Sequence, residues 1–353
     1  MPSSACRNTY PPVSHRTLTA NIRNRAANVV LLLAALATCL VAIELASRIL
    51  IPISPGTRFL DAAGAPVEIH DGRGGLRAKI RFRQVTADYD VWTSISPEGF
   101  RGPQPEGNIN TIFVGDSFTF GQGLTDEQTI PSLACSNVRL ACANLGLPGT
   151  GTKLQIDRLE QFLANEDWHP QHVDLLLFAY AGGLASGNDF ADTVQEAALP
   201  SSTGKVAPPQ AASFWERFLG WRSWVLANSN LVRIVYQGFG PRIRSLLSAS
   251  SAPDIGAGIA AVGVQLARLN ALSRSQGFTY TVYVLHPVQD LLRGSYNGTL
   301  AAVQEAAGGA RIVDTALTLL DNPSQYYFPY DGHLNALGAA RVAALIASDA
   351  TGH

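Results

Sequence analysis

Two short stretches of the chain hold a hydroxyl, a carboxylate and an imidazole that could act on one another. In Thr111-Ile-Phe-Val-Gly-Asp-Ser-Phe-Thr-Phe-Gly121, a β-branched and aromatic run stops at Gly115 and places Ser117 just past a predicted strand. Far downstream, Tyr330-Asp-Gly-His-Leu-Asn335 carries Asp331 and His333 ahead of a helical pattern. A serine becomes a nucleophile when a base takes its proton and a third group holds that base. Acyl transfer through Ser117, with His333 as base and Asp331 as its acid, is the chemistry these residue types suit. Ser117 by itself fits equally well a strand followed by an Asp-Ser turn that caps the next helix. The acid and base downstream favour the catalytic reading.

Other residues compete for these roles. His286 follows an apolar run in Leu285-His-Pro287, which would bring it to the same edge of a sheet as Ser117, but its nearest acid in sequence is Asp290. His169 and His172, in Trp168-His-Pro-Gln-His172, read as a loop before a strand. Cys, His and carboxylates do not cluster at metal-ligand spacing, so no metal or other cofactor is expected. Gly121-Gln-Gly123 lacks the lysine of a phosphate-binding loop.

Distant residues meet only if the intervening elements bring them together. From Thr111 on, apolar runs at 112–114, 140–145, 173–178, 280–285 and 310–313 read as strands, and helical-period segments at 152–164, 258–275, 300–306 and 336–347 lie between and after them. That alternation predicts an α/β fold, a flavodoxin-like three-layer sandwich with a five-stranded parallel sheet. Loops after parallel strands gather at one edge, where such sheets bind ligands, so Ser117 and the Asp331–His333 loop are expected to share a cleft. Residues 190–255 break the rhythm with a Ser/Pro/Gly-rich loop, the aromatic run Phe214 to Trp224 and an arginine-bearing amphipathic stretch to Leu247. They read either as a helical hairpin packed on the sheet or as a lid or membrane-facing helix.

The chain lacks the second glycine of the Gly-x-Ser-x-Gly elbow. It resembles instead the SGNH, or GDSL-like, hydrolase superfamily, over Thr111 to the C-terminus. Gly115-Asp-Ser117 matches the first block, Asn144-Leu-Gly-Leu-Pro-Gly149 the second, Gly187-Asn-Asp189 the third and Asp331-Gly-His333 the fifth, in the family's order. The resemblance implies Ser117 as nucleophile, His333 as base, Asp331 as acid, and an oxyanion hole made by the Ser117 and Gly149 amides and the Asn188 side chain. Two departures stand out: Ser186 precedes the third block where the family has glycine, and one residue separates Asp331 from His333 where the family has two. With the acid so placed, a backbone carbonyl is an alternative partner for the imidazole.

Net charge is −1, and the basic residues are mostly scattered arginines, with Lys79, Lys153 and Lys205 the only lysines. That balance excludes a nucleic-acid partner. Residues 28–51 are apolar over the length a bilayer-spanning helix needs, with Glu44 and Arg48 one turn apart near the end. An uncleaved signal anchor fits this run better than a removed peptide. Arg7, Arg16, Arg23 and Arg25 before it predict a cytoplasmic N-terminus, with residues 1–27 a disordered tail. The expected location is a bacterial inner membrane, crossed once, with the C-terminal domain periplasmic. Residues 52–110 then form a membrane-proximal collar containing one edge strand or hairpin near 87–95, ahead of the hydrolase-type domain at 111–353. Cys135 and Cys142 would be the only exported cysteines, near enough to bridge a helix end to a strand start; two buried thiols are the alternative.

The expected function is hydrolysis of O-acyl, chiefly O-acetyl, groups on an envelope or exported carbohydrate or a small ester. Two alternatives are an O-acetyltransferase using the same residues and a silent scaffold module of an envelope assembly.

Overall fold

Helix α1 runs from His15 to Leu50 in the computed structural model, which describes residues 15–50, 56–72, 74–103, 105, 107–164, 168–179, 193, 229–232, 234 and 255–351. The segment Ala27–Leu50 is long and apolar enough to cross a membrane. Its 24 residues rise about 36 Å, against the roughly 30 Å of a hydrocarbon core. The helix already begins at His15, so from there the tail is helical where the sequence suggests disorder. Near its end the Arg48 guanidinium donates to Glu44 at 2.8 Å.

Three short strands follow: β1 (Arg58–Leu60), β2 (Arg81–Val85) and β3 (Asp90–Ser94), in one antiparallel sheet of that order. The alternation around residues 87–95 thus becomes the second arm of a hairpin, paired from Arg81 opposite Ser94 to Val85 opposite Asp90. The additional strand, β1, is only three residues long and carries too little pattern to be legible. Phe82 and Ile95 from this region share a buried cluster with Phe120 and Leu147, which lie at the edge of the main sheet. The collar is therefore packed directly on the part of the molecule that bears Ser117.

The remaining chain alternates. In order come β4 (Thr111–Gly115), α2 (Ser117–Phe120), α3 (Ile130–Val138), β5 (Cys142–Asn144), α4 (Thr152–Leu163) and β6 (His172–Phe178). Beyond the insert of about 190–255 come α5 (Ile255–Gln276), which starts at its last residue, β7 (Thr279–Leu285), α6 (Val288–Arg293), α7 (Tyr296–Ala306), β8 (Arg311–Asp314) and α8 (Ala336–Thr351). The strands pair in parallel in the order β5-β4-β6-β7-β8, the flavodoxin-like order, whose crevice opens between the first and third strands in sequence. Here those are β4 and β6.

Strand periodicity divides the core into two layers. Val173, Leu175 and Leu177 of β6 face one buried cluster with Ile156 of α4 and Leu266 of α5, while Leu176 and Phe178 face another with Ile130 of α3 and Val342 of α8. Helix α3 lacks an obvious sequence signal, yet it is well delimited. The Thr129 hydroxyl accepts from the Ser132 amide at 3.3 Å, Pro131 sits in its first turn, and Arg139 ends it in a left-handed conformation.

Cys135, in α3, and Cys142, opening β5, are joined by a disulfide. It closes a loop with a sequence separation of 7, for which chain entropy gives about 2–3 kcal/mol of stabilisation. Dithiothreitol is expected to lower the melting temperature of the wild-type protein and to leave that of Cys135→Ser unchanged; equal response of both would contradict a stabilising bridge.

Of residues 190–255, the Trp-rich run 214–224 and the stretch to Leu247, apart from 229–232 and 234, lie outside the described residues. The short described piece at 229–232 returns to α1. Ser229 Oγ and the Asn230 and Leu231 amides donate to the Glu44 carboxylate at 2.8, 2.9 and 3.0 Å, and the Asn230 side chain donates to Ser47 Oγ at 3.1 Å.

Candidate active site

Strand β4 is buried along its whole length and ends at Gly115, from which the chain turns directly into the single-turn helix α2. A Cβ at Gly115 would lie 2.1 Å from Thr119 Oγ1 and 2.6 Å from the Leu176 carbonyl oxygen, so only glycine fits the turn. Asp116 caps α2, its carboxylate accepting from the Phe118 amide at 2.8 Å, and so has a structural task next to the serine. Asn144, at the end of β5, ties the same turn to its neighbour by donating to the Thr119 carbonyl at 2.8 Å and accepting from the Gly146 amide at 2.9 Å. These contacts hold Ser117 at the C-terminal edge of the sheet. Gly115→Ala should displace the turn, lowering the melting temperature through an overpacking cost of about 1–3 kcal/mol. Because a misplacement near 1 Å can cost about a hundredfold in rate, kcat should fall by a similar factor. Wild-type kcat in that variant would contradict the role given to the turn.

Asp331 and His333 lie in the loop before α8. Tyr327 and Leu334 form an antiparallel bridge, the Phe328 amide donates to the His333 carbonyl at 2.8 Å, and the Gly332 amide donates to the Phe328 carbonyl at 3.0 Å. Gly332 has φ +84°, a left-handed conformation that suits glycine and folds Asp331 back toward His333. Asn335 then caps α8, accepting from the Leu337 and Gly338 amides at 3.0 and 3.1 Å.

The two regions meet. Ser117 Oγ lies 2.7 Å from His333 Nε2, and His333 Nδ1 is hydrogen-bonded to Asp331 Oδ1. An ionised carboxylate only accepts, so Nδ1 carries the hydrogen and Nε2 is free to accept the serine proton. The single residue between acid and base does not prevent their bond, and a backbone carbonyl is not needed to orient the ring. Phe118 packs on the imidazole, with ring centres 4.7 Å apart, and stacks on Phe178 at 4.2 Å.

Burial works against ionisation of Asp331, but the hydrogen bond and charge of His333 outweigh it, with help from the Tyr89 hydroxyl, and hold the carboxyl below its ordinary range. With its folded pKa depressed, the stability this pair contributes is present above the unfolded carboxylate pKa. It is lost as pH falls through the lower folded value.

Residues from the collar complete the surroundings of the acid. The Tyr89 hydroxyl donates to Asp331 Oδ2 at 2.9 Å, and Thr57 Oγ1 lies 2.7 Å from that hydroxyl and 3.5 Å from the same carboxylate oxygen. Gln122 Nε2 donates to Thr57 Oγ1 at 2.6 Å. Asp88 Oδ2 accepts from the Tyr330 and Asp331 amides at 3.0 and 2.7 Å. Sequence reasoning misses Asp88 and Tyr89 because their partners in this loop are more than 240 positions away. Alternation around them signals a strand and nothing more.

The other candidates fall elsewhere. Gly149 is the exposed residue of an otherwise buried turn after β5, with φ +73°, at the same edge of the sheet as Ser117. Asn188, with Gly187 and Asp189, lies outside the described residues. His286 is fully buried and its Nε2 pairs with Asp314 at 2.8 Å, tying the end of β7 to the end of β8, while the imidazole bonded to Ser117 is that of His333. His172 opens β6, bonded to Asp174 and Thr279 at 2.8 and 2.7 Å. It stands at the opposite edge of the sheet from Ser117. Among the described residues no group of three His, Cys, Asp or Glu side chains could hold a metal ion.

No family model matches the chain, and no curated protein matches it in sequence. Among solved structures it is similar to a lipase/acylhydrolase from Enterococcus faecalis, at 12% identity over 69% of this chain and 96% of that one, with a TM-score of 0.39. It is similar to a lipolytic protein of the G-D-S-L family from Desulfitobacterium hafniense DCB-2, at 14% identity over 69% of this chain and 98% of that one, with a TM-score of 0.34. A third is a catalytic mutant of Axe2, an acetylxylan esterase from Geobacillus stearothermophilus, at 12% identity over 68% of this chain and 93% of that one, with a TM-score of 0.37.

Proposed function

We propose that the chain is a serine ester hydrolase of the SGNH type, membrane-anchored, acting on O-acyl groups of an envelope or exported carbohydrate. The observation that carries this reading is the continuous hydrogen-bonded chain from Ser117 Oγ through His333 to the buried Asp331 carboxylate. In the reaction, His333 Nε2 takes the serine proton as Oγ attacks the ester carbonyl. The tetrahedral intermediate collapses, the sugar hydroxyl leaves with the proton held by His333, and the acyl group remains on Ser117. Water, deprotonated by the same imidazole, then releases the acid and restores the serine. Asp331 keeps the ring in the required tautomer and stabilises the imidazolium. The developing oxyanion falls to the Ser117 and Gly149 amides and the Asn188 side chain, roles assigned by family resemblance.

Carbohydrate-borne substrates at a membrane surface are supported by the apolar span and by the short connection that follows it. Thr57, which touches the acid, stands seven positions after Leu50. Even fully extended, that connection reaches only roughly 25 Å. The arginine excess before the span supports a periplasmic active site.

The test uses the full-length protein in detergent with O-acetylated glycans, with mass spectrometry following the acetyl groups. Their loss in wild type and persistence with Ser117→Ala would support the hydrolase. Arrival of acetyl groups on an acceptor from an added donor would turn the reading to a transferase, and neither outcome in wild type would overturn both.

A further inference from the structure

We propose that Tyr89 and Asp88, in the turn between β2 and β3, are positioning residues for the acid of the triad, so that the collar completes the catalytic machinery. This inference rests on the serine-hydrolase reading above.

The loop bearing Asp331 has an unusual task. Acid and base are separated by one glycine, and the carboxylate must point to Nδ1 while its other oxygen is removed from water. Asp331 is buried, its side chain 5% exposed. Oδ1 serves His333, so Oδ2 needs donors of its own. Tyr89 is the near one, at 2.9 Å, while Thr57 and Gln122 stand at 3.5 Å. Burial and the neighbouring Asp331 charge push the Tyr89 phenol far above its usual value, so it stays protonated and keeps donating wherever the enzyme could work.

Asp88 holds the backbone of the same loop. One of its carboxylate oxygens accepts both the Tyr330 and Asp331 amides, which fixes the chain entering the left-handed Gly332. Two adjacent residues thus grip the acid by its carboxylate and by its peptide groups. The turn that bears them is itself rigid: the Thr86 amide donates to the Tyr89 carbonyl at 2.9 Å, and the Asp88 amide to Thr86 Oγ1 at 3.0 Å. The Tyr89 ring is wedged between Phe328, 4.9 Å away centre to centre, and Gly123, where a Cβ would come within 2.6 Å of the ring. A ring needed only for packing would not have to place its hydroxyl on the catalytic acid.

The two contributions separate experimentally. Tyr89→Phe retains the ring and removes only the donor. Asp88→Asn retains an acceptor oxygen, whereas Asp88→Ala does not. Each variant is made in the full-length protein and assayed in detergent with p-nitrophenyl acetate, kcat being expressed per folded molecule. A hydrogen bond to a charged group corresponds to about ten- to hundredfold, so Tyr89→Phe should lose that much kcat with KM within about twofold. Asp88→Ala should fall similarly, and Asp88→Asn should recover most of the loss. Unchanged kcat in Tyr89→Phe, or equal loss in Asp88→Asn and Asp88→Ala, would overturn the inference. Ser117→Ala serves as the parallel arm. If that variant is inactive while Tyr89→Phe is fully active, only the positioning role fails; if it hydrolyses as wild type does, the underlying function fails.

Discussion

Ser117→Ala in the full-length protein is expected to lower kcat for p-nitrophenyl acetate by about 10⁴- to 10⁶-fold, the range seen when a triad nucleophile is removed. The melting temperature should barely change. Among the described residues the Ser117 side chain makes one hydrogen bond, to His333, and its loss leaves the cap at Asp116 and the glycine turn at Gly115 in place. What disappears is the covalent route, because the remaining groups can polarise an ester but have no oxygen to give it. Circular dichroism and thermal melting would verify the fold, and turnover at the wild-type rate would remove Ser117 from the mechanism.

His333→Ala should cost nearly as much, and Asp331→Asn about 10⁴-fold. The ordering follows from what each group does. Without the imidazole nothing at 2.7 Å accepts the serine proton, whereas Asp331→Asn leaves the ring in place and spoils its tautomer, since an amide NH₂ facing Nδ1 would draw the hydrogen to Nε2. The three act as a unit, so a Ser117→Ala, His333→Ala double variant should be no slower than Ser117→Ala alone, within the error of the assay. A further large drop in the double variant would mean that His333 contributes to turnover independently of Ser117.

The parts of this molecule legible in its sequence are those governed by short-range rules. Buried parallel strands such as β6 read as largely apolar runs, and the long helices α4 and α8 as periodic ones, so an α/β alternation and the sheet edge bearing Ser117 follow from pattern. Gly115, Ser117, Asp331 and His333 are legible because the proposed chemistry and the turn geometry restrict residue type at those positions. The brief helix α3 is not, since its boundaries depend on a side-chain cap and a left-handed arginine more than on periodicity. Nor is the three-residue β1, which exists by virtue of pairing with β2.

The collar shows a different limit. Asp88 and Tyr89 look like residues of an ordinary hairpin, and only tertiary packing brings them to a loop near the C-terminus. Glu44 is similar. Its pairing with Arg48 is an i, i+4 contact that can be read from spacing, while its three bonds to residues 229–231 depend on where the insert returns. Contacts of long sequence separation carry no local signature, and in this chain they are what join the segment after α1 to the sheet edge bearing Ser117.

The hydroxyl after β4 is expected to become acylated with the help of His333. The most direct measurement is intact-mass and peptide-level mass spectrometry of the full-length protein after brief treatment with an alkyl fluorophosphonate, which labels activated serines. One adduct per chain is expected, on Ser117, with labelling strongly slowed in His333→Ala and absent in Ser117→Ala. An unlabelled wild-type protein, or an adduct on any other residue, would contradict it.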